Sequence, residues 1–144
     1  KSKFILYVIG DKPKLFDSIQ IEKKFFGNIK SDKILRKIYS ASDIFVLPSI
    51  AESFGQVFIE AGSIGLPCIC FKNTAATEII KHKINGYSAR FKSTKDLAFG
   101  INWCKKNLLN SKSEKNIRDM THKNFSSNKI IDEYVKYYKK ISSN

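Results

Sequence analysis

Cysteine, proline, glycine, methionine and tryptophan are scarce in this chain of 144 residues, at three, three, seven, one and one. With 42% hydrophobic and 12% aromatic residues, so little proline and glycine excludes disordered, low-complexity and collagen-like chains. The three cysteines cannot all pair internally, and Cys68 and Cys70 flank Ile69 in an apolar run. No second cysteine pair or Cys/His set supplies zinc ligands, so buried reduced thiols, a reducing compartment and no metal site are expected. Long hydrophobic runs are lacking as well, none approaching the ~18 residues of a membrane span. No signal-peptide pattern opens the chain, and Lys1 is not a start methionine, so a piece of a longer protein is expected. Negative charge is the last scarcity: 13 acidic against 26 basic side chains leave a formal +13. Such an excess attracts polyanions, but the lysines are spread along the whole length. A solvated surface is therefore the first reading, and recruitment to an anionic surface the second.

What is present alternates. The run "FILYVIG" (4–10) reads as a strand buried on both faces, "KKFFG" (23–27) as a shorter strand, and "DIFVLP" (43–48) as a buried strand stopped by proline. Between them Ser31 opens a helix through Ile34, Leu35, Ile38 and Tyr39. Val57, Phe58, Ala61 and Ile64 keep helical spacing, "LPCICF" (66–71) returns to strand, and 77–82 makes a short helix. Asn85-Gly86 signals a turn before a brief strand at 87–91. Ser93 and Asp96 resemble a capping box opening a helix through Leu97, Ile101 and Cys104. The tail from about Ser113 reads as helical, with Ile130, Ile131, Tyr134, Val135 and Tyr138 on one side. Strands and helices in this order predict an α/β, Rossmann-like, three-layer fold with a mostly parallel sheet. Ligands of such sheets bind at the carboxyl ends of strands, which directs attention to the loop Pro48–Gly55.

That loop feeds a helix, and a helix N-terminus offers unpaired N–H groups and partial positive charge to an anion. Gly55 lets the backbone approach a ligand, so the N–H groups of Gly55, Gln56 and Val57 can meet phosphate oxygens. Glu60 stands five residues on, about 7.5 Å along the helix and on the flank of Gln56. A carboxylate accepts two hydrogen bonds and donates none, which suits the vicinal hydroxyls of a ribose. Glu52, on the loop, would meet the other end of the ligand. Ribose at Glu60, diphosphate at the helix entrance and sugar at Glu52 describe a nucleotide-diphosphate sugar. Taken alone, each glutamate has a plainer explanation: Glu52 as a helix-capping acid worth ~0.3–1 kcal/mol, Glu60 as a solvent-facing side chain.

The stretch "PSIAESFGQVFIEAGSIGLPCICF" (48–71) resembles the signature of the group 1 glycosyltransferases, retaining nucleotide-sugar enzymes of the GT-B fold with two Rossmann-like domains. Their C-terminal domain carries E-x-F-G-x-x-x-x-E-A, here Glu52 to Ala61, followed by Gly65-Leu66-Pro67. "YVIGD" resembles that domain's second strand, "FFGNIKSDKILRKIYSASDIFVLPS" its third strand, helix and fourth strand. "TEIIKHKINGYSA" and "NFSSNKIIDEYVKYYKKI" resemble its later segments, so the likeness runs from Phe4 to Ile141.

The resemblance implies roles. Glu52 would contact the donor sugar and help to place or stabilise its anomeric carbon as the catalytic residue. Ser53, Phe54 and Gly55 would present N–H groups to the sugar, Gln56 and Val57 would hold the diphosphate with Gly55, and Glu60 the ribose. Gly27 and Asn28 would lie near the base. The donor would be a UDP- or GDP-sugar and the acceptor a saccharide or lipid-linked molecule. Metal would not be needed, and the setting would be cytoplasmic, for polysaccharide biosynthesis.

Two departures qualify this. Ala75 and Ala76 stand where the family usually has paired glycines, so the loop before Glu78 is expected to be shaped differently. The family's first strand and its G-R…K-G segment have no counterpart, nor does the acceptor-binding N-terminal domain. Residues 1–144 are thus expected to be the donor domain of a longer two-domain enzyme, without its central first strand and inactive alone. The alternative is a non-catalytic nucleotide-binding or interaction domain of the same fold. No nucleic-acid partner is expected, since no basic face with stacking aromatics is evident and Tyr134, Tyr137 and Tyr138 read as core-facing. His82 and His122 read as surface residues.

Overall fold

The structure, a computed structural model, describes residues 4–12 and 14–142, without the side chain of Leu15. They divide into two units, within residues 1–42 and 43–144. In the first unit, β1 (Ile5–Val8) pairs in parallel with β2 (Glu22–Phe25), Ile5 opposite Glu22 and Val8 opposite Phe25. A 3-10 turn (Lys14–Ser18) lies between them, and α1 (Asp32–Ser40) follows. The continuous apolar run of β1 predicts burial on both faces; instead Ile5 and Tyr7 are exposed while Leu6 and Val8 are partly covered. One pairing strand and one face of cover cannot bury both sides. Ser31 occupies the position before α1, but its side chain makes no capping bond.

The second unit holds a parallel sheet in the order β3-β4-β5, with β3 Phe45–Val46, β4 Cys68–Phe71 and β5 Gly86–Ala89. Helices α2 (Gln56–Ile64), α3 (Ala76–Ile79), α4 (Thr94–Asn107), α5 (Ser111–Phe125) and α6 (Ser127–Ser142) complete it. The middle strand is buried throughout, which is why "CICF" needs no polar alternation. Ile69 and Phe71 pack with Tyr87, Ala89, Cys104 and Leu108, and Leu97, Ile101 and Trp103 of α4 close over them. All three thiols are 1% exposed or less. Burial raises the pKa of each, that of Cys104 being pushed up to about 12, and so suppresses the thiolate. A thiol reagent at neutral pH is accordingly expected to leave Cys68, Cys70 and Cys104 unmodified until denaturant is added, as mass spectrometry of the labelled protein will read. Prompt labelling in native buffer would contradict this packing.

Local rules account for the boundaries. Ser93 Oγ accepts from Asp96 N at 3.2 Å, one half of the expected capping box. The other half is diverted: the Asp96 carboxylate accepts from Arg90 N at 2.6 Å and Tyr87 Oη at 3.1 Å, tying the helix to the end of β5. Those bonds, led by the Arg90 N–H, hold its carboxyl below the usual carboxylate range. Asn85 belongs to the turn before β5, buried, with Oδ1 accepting from Lys81 N at 2.7 Å and Nδ2 donating to Ile79 O at 3.0 Å. His82 is exposed, but its Nδ1 accepts from Ser88 N at 3.2 Å and its ring lies 4.5 Å from that of Tyr87, a structural engagement.

The tail is two helices, not one. Ser126 adopts extended geometry, and its Oγ accepts from Lys129 N, which ends α5 and starts α6. The tyrosines of α6 are not core-facing: Tyr134, Tyr137 and Tyr138 are 62%, 65% and 65% exposed. Helical spacing identifies an apolar face but not what covers it. Among the described residues only α5 lies substantially against α6, and no residue of α6 is buried.

Candidate functional site

The loop between β3 and α2 is built at the carboxyl end of a parallel strand, where ligands of α/β sheets bind. Leu47 N donates to Ile69 O at 3.0 Å, so the sheet holds the chain up to Pro48, which cannot continue the ladder. Ser49 Oγ then donates to Ala51 O at 2.6 Å and curls the loop. Phe58, 1% exposed, sets its ring edge-on to Phe45 at 5.5 Å and anchors the first turn of α2 to β3. At the far end of α2, Arg118 donates to Ile64 O at 3.1 Å, and α2 lies along α5. The helix entrance is thus fixed from both sides.

Gly55 precedes α2 with φ +83°, a left-handed conformation that costs other residues about 1–2 kcal/mol. A Cβ there would also meet Phe58 Cδ2 at 2.8 Å and Glu52 Cγ at 3.4 Å. Glycine is therefore required by the turn and by the anchoring ring, besides any need for ligand approach. The entrance of α2 differs from those of α4 and α5. Ser93 and Asn110 cap those helices, whereas α2 has no side-chain cap. Among the described residues no hydrogen bond engages the N–H groups of Gly55, Gln56 or Val57. The helix presents unsatisfied donors at its positive end.

An open pocket of about 580 Å³ lies beside this entrance, lined by Ile50, Ala51, Glu52 and Ser53 from one loop and Asn73, Thr74 and Ala75 from another. Of the residues singled out from the sequence, the structure brings Glu52 and Ser53 together here. Phe54 is exposed on the same loop, and Gln56 and Val57 begin α2. Glu60 is exposed on α2, one turn beyond Gln56. Gly27 and Asn28 follow β2 in the other unit, both exposed, with Gly27 O accepting from Gly10 N at 2.8 Å.

The wall from 73 to 75 escaped the sequence-based choice of site residues. The departure at Ala75 and Ala76 did point at the segment, although for another reason. Ala75 has φ −57° and ψ −22°, ordinary right-handed values, so alanine is unstrained there. Left-handed geometry falls instead on Asn73, with φ +64°.

The sequence matches the model of the glycosyl transferases group 1 family over residues 1–124. The chain belongs to that family. It is 30% identical over 142 residues to the N-acetyl-alpha-D-glucosaminyl L-malate synthase of Bacillus anthracis, covering 92% of this chain and 36% of that enzyme. Sucrose-phosphate synthase from Thermosynechococcus elongatus shares the fold with a TM-score of 0.80 at 22% identity, over 96% of this chain and 38% of that one. HepE of Anabaena, solved with UDP and glucose, does so with a TM-score of 0.73 at 22% identity, over 96% of this chain and 40% of the other. The fold is that of a GT-B glycosyltransferase domain, α/β with parallel sheets. The chain spans only 30%, 36% and 38% of the length of three curated relatives that it matches.

Proposed function

We propose that this chain is the donor-binding part of a retaining glycosyltransferase that moves a hexosyl group from a UDP- or GDP-sugar to a saccharide or lipid-linked acceptor. The observation that carries the reading is the uncapped entrance of α2, opening beside the loop that bears Glu52. In this reading Gly55, Gln56 and Val57 donate their N–H groups to the diphosphate, and the helix dipole offsets the charge that grows on it as the C1–O bond breaks. Glu52, with the backbone of Ser53, Phe54 and Gly55, holds the sugar and stabilises positive charge at the anomeric carbon. Glu60 accepts from the ribose hydroxyls, and Gly27 and Asn28 lie near the base. No metal is given a part, the diphosphate being met by backbone donors.

That the chain spans 30%, 36% and 38% of three curated relatives supports a piece of a longer, two-domain enzyme. In a doubly wound sheet of order 3-2-1-4-5-6, strands two and three pair on one side of the first strand, and four, five and six on the other. Each unit taken by itself holds one set of parallel pairings, β1–β2 in the first and β3–β4–β5 in the second. The acceptor then belongs mainly to a further domain, the setting is cytoplasmic, and residues 1–144 alone bind donor weakly without transferring it.

Calorimetric titration of the parent protein with UDP- and GDP-sugars, beside Glu60→Ala, tests this. Loss of a charge-assisted contact to the ribose should weaken binding by ~1.5–3 kcal/mol, about ten- to a hundredfold. Equal binding by both proteins would remove Glu60 from the site. A parent that binds the donor with Glu52 intact and transfers nothing would favour the non-catalytic alternative.

Peripheral association with anionic membrane is a second reading, favoured by α6. Ile130, Ile131, Tyr134, Val135 and Tyr138 occupy one exposed side, and the opposite side carries Lys129, Lys136, Lys139 and Lys140 together with Asp132 and Glu133, a net basic face. That is the pattern of a helix lying in a lipid interface. No helix among the described residues is long and apolar enough to cross a membrane. The parent should float with phosphatidylglycerol vesicles and not with phosphatidylcholine ones, and Tyr134→Glu/Tyr138→Glu should abolish it. Flotation unchanged by that double substitution would remove α6 from the interaction.

A further inference from the structure

We propose that Asn73 is a sugar-recognition residue, its carboxamide binding a hydroxyl of a neutral hexose in the pocket that Glu52 also lines. This rests on the nucleotide-sugar reading above and adds a residue that the signature motif does not contain. Three observations meet at Asn73. It lines the pocket from the loop after β4, whereas Glu52 and Ser53 line it from the loop after β3. Its backbone is left-handed, at φ +64°. Its side chain makes no hydrogen bond among the described residues, although neighbouring polar groups are engaged.

The surroundings sharpen the contrast. Lys72 N donates to Ala89 O at 2.7 Å, and Thr74 Oγ1 donates to Phe71 O at 2.9 Å, so the turn is closed on either side of Asn73. Thr77 Oγ1 donates to Thr74 O at 2.9 Å and fixes the start of α3. The turn therefore holds its shape without the Asn73 carboxamide. Glycine would satisfy the left-handed φ at no steric cost, and asparagine is the side chain that tolerates it best while supplying polar atoms. Lys83 and Lys92 are the other non-glycine residues described at positive φ, and neither lines this pocket. Unusual backbone beside a pocket is where function tends to concentrate.

The chemistry is complementary. A carboxylate only accepts, so Glu52 can accept a hydrogen bond from a sugar hydroxyl but donate none. A carboxamide donates through nitrogen and accepts through oxygen, so it engages the hydroxyl lone pairs that Glu52 cannot. Two groups of these kinds on two loops can read the positions of neighbouring ring hydroxyls.

Asn73→Gly separates the roles, because it keeps the φ and deletes the carboxamide. The parent protein and this variant are titrated with UDP, GDP, UDP-glucose and GDP-mannose. The expected result is unchanged affinity for the nucleoside diphosphate that binds and about tenfold weaker binding of its sugar, the effect of one lost neutral hydrogen bond. Asn73→Asp, which keeps an acceptor but loses the donor, should weaken the sugar complex as well. Equal loss for nucleotide and nucleotide sugar, or no loss for either, would overturn the assignment and leave Asn73 as a turn residue. If the wild-type parent binds none of the four probes, the nucleotide-sugar reading itself fails, and the role of Asn73 fails with it.

Discussion

Glu52→Gln in the parent enzyme is expected to lower kcat for glycosyl transfer by about 10²–10³-fold while leaving nucleoside diphosphate affinity within about twofold. Glutamine keeps the length and shape of the side chain and removes only its charge. Preorganised charge acts where charge develops in the transition state, and deleting one such group typically has an effect of that size. Glu52 suits the role by position. Its Cγ lies beside Gly55 at the mouth of α2, and it lines a pocket open to a ligand. The diphosphate in this account is held by the N–H groups of Gly55, Gln56 and Val57, which the substitution does not touch. Steady-state kinetics and calorimetry on the same preparation separate the two effects. A variant that transfers within threefold of wild type would make Glu52 a binding residue at most.

Gly86→Ala should be strongly destabilising. Gly86 begins β5 in register with Cys68 of β4, and a Cβ built on it would sit 2.0 Å from Cys68 O. That oxygen belongs to the backbone of a fully buried strand, so neither side can yield cheaply. Overpacking typically costs about 1–3 kcal/mol, and a clash with backbone this deep belongs at the upper end, about 3 kcal/mol. At roughly 2–4 °C per kcal/mol, melting should fall by about 6–12 °C. A melting temperature within about 1 °C of wild type would mean that β4 and β5 are not so closely apposed.

Much of this arrangement is legible in the residues. "LPCICF" reads as a buried strand because it has no polar alternation, and β4 is buried on both faces. The loop before α2 is legible because proline stops a strand and glycine opens a helix within eight residues, Pro48 to Gly55. What is not legible depends on partners distant in sequence. The β1 run is as apolar as β4, yet Ile5 and Tyr7 are exposed, since cover comes from neighbours and not from the strand itself. The apolar side of α6 has the spacing of a core helix and no core against it. The capping box at Ser93 is half formed because Tyr87 and Arg90, brought near by the fold, engage the Asp96 carboxylate.

The second wall of the pocket illustrates the same limit at the site. Composition gives Asn73 no distinction among the asparagines of the chain. Only the turn after β4 gives it a left-handed backbone and sets it in the pocket that Glu52 lines. The paired alanines, conspicuous by resemblance, are conformationally ordinary at Ala75. The left-handed residue, Asn73, stands two positions before that alanine pair.

The most direct measurement follows the backbone amides of Gly55, Gln56 and Val57 by NMR while the labelled parent protein is titrated with UDP- and GDP-sugars. The account predicts that one of the two nucleotides shifts these three amides first and furthest, as their N–H groups close on the diphosphate. Saturable binding that leaves all three unmoved would contradict it, and would put the donor somewhere other than the entrance of α2.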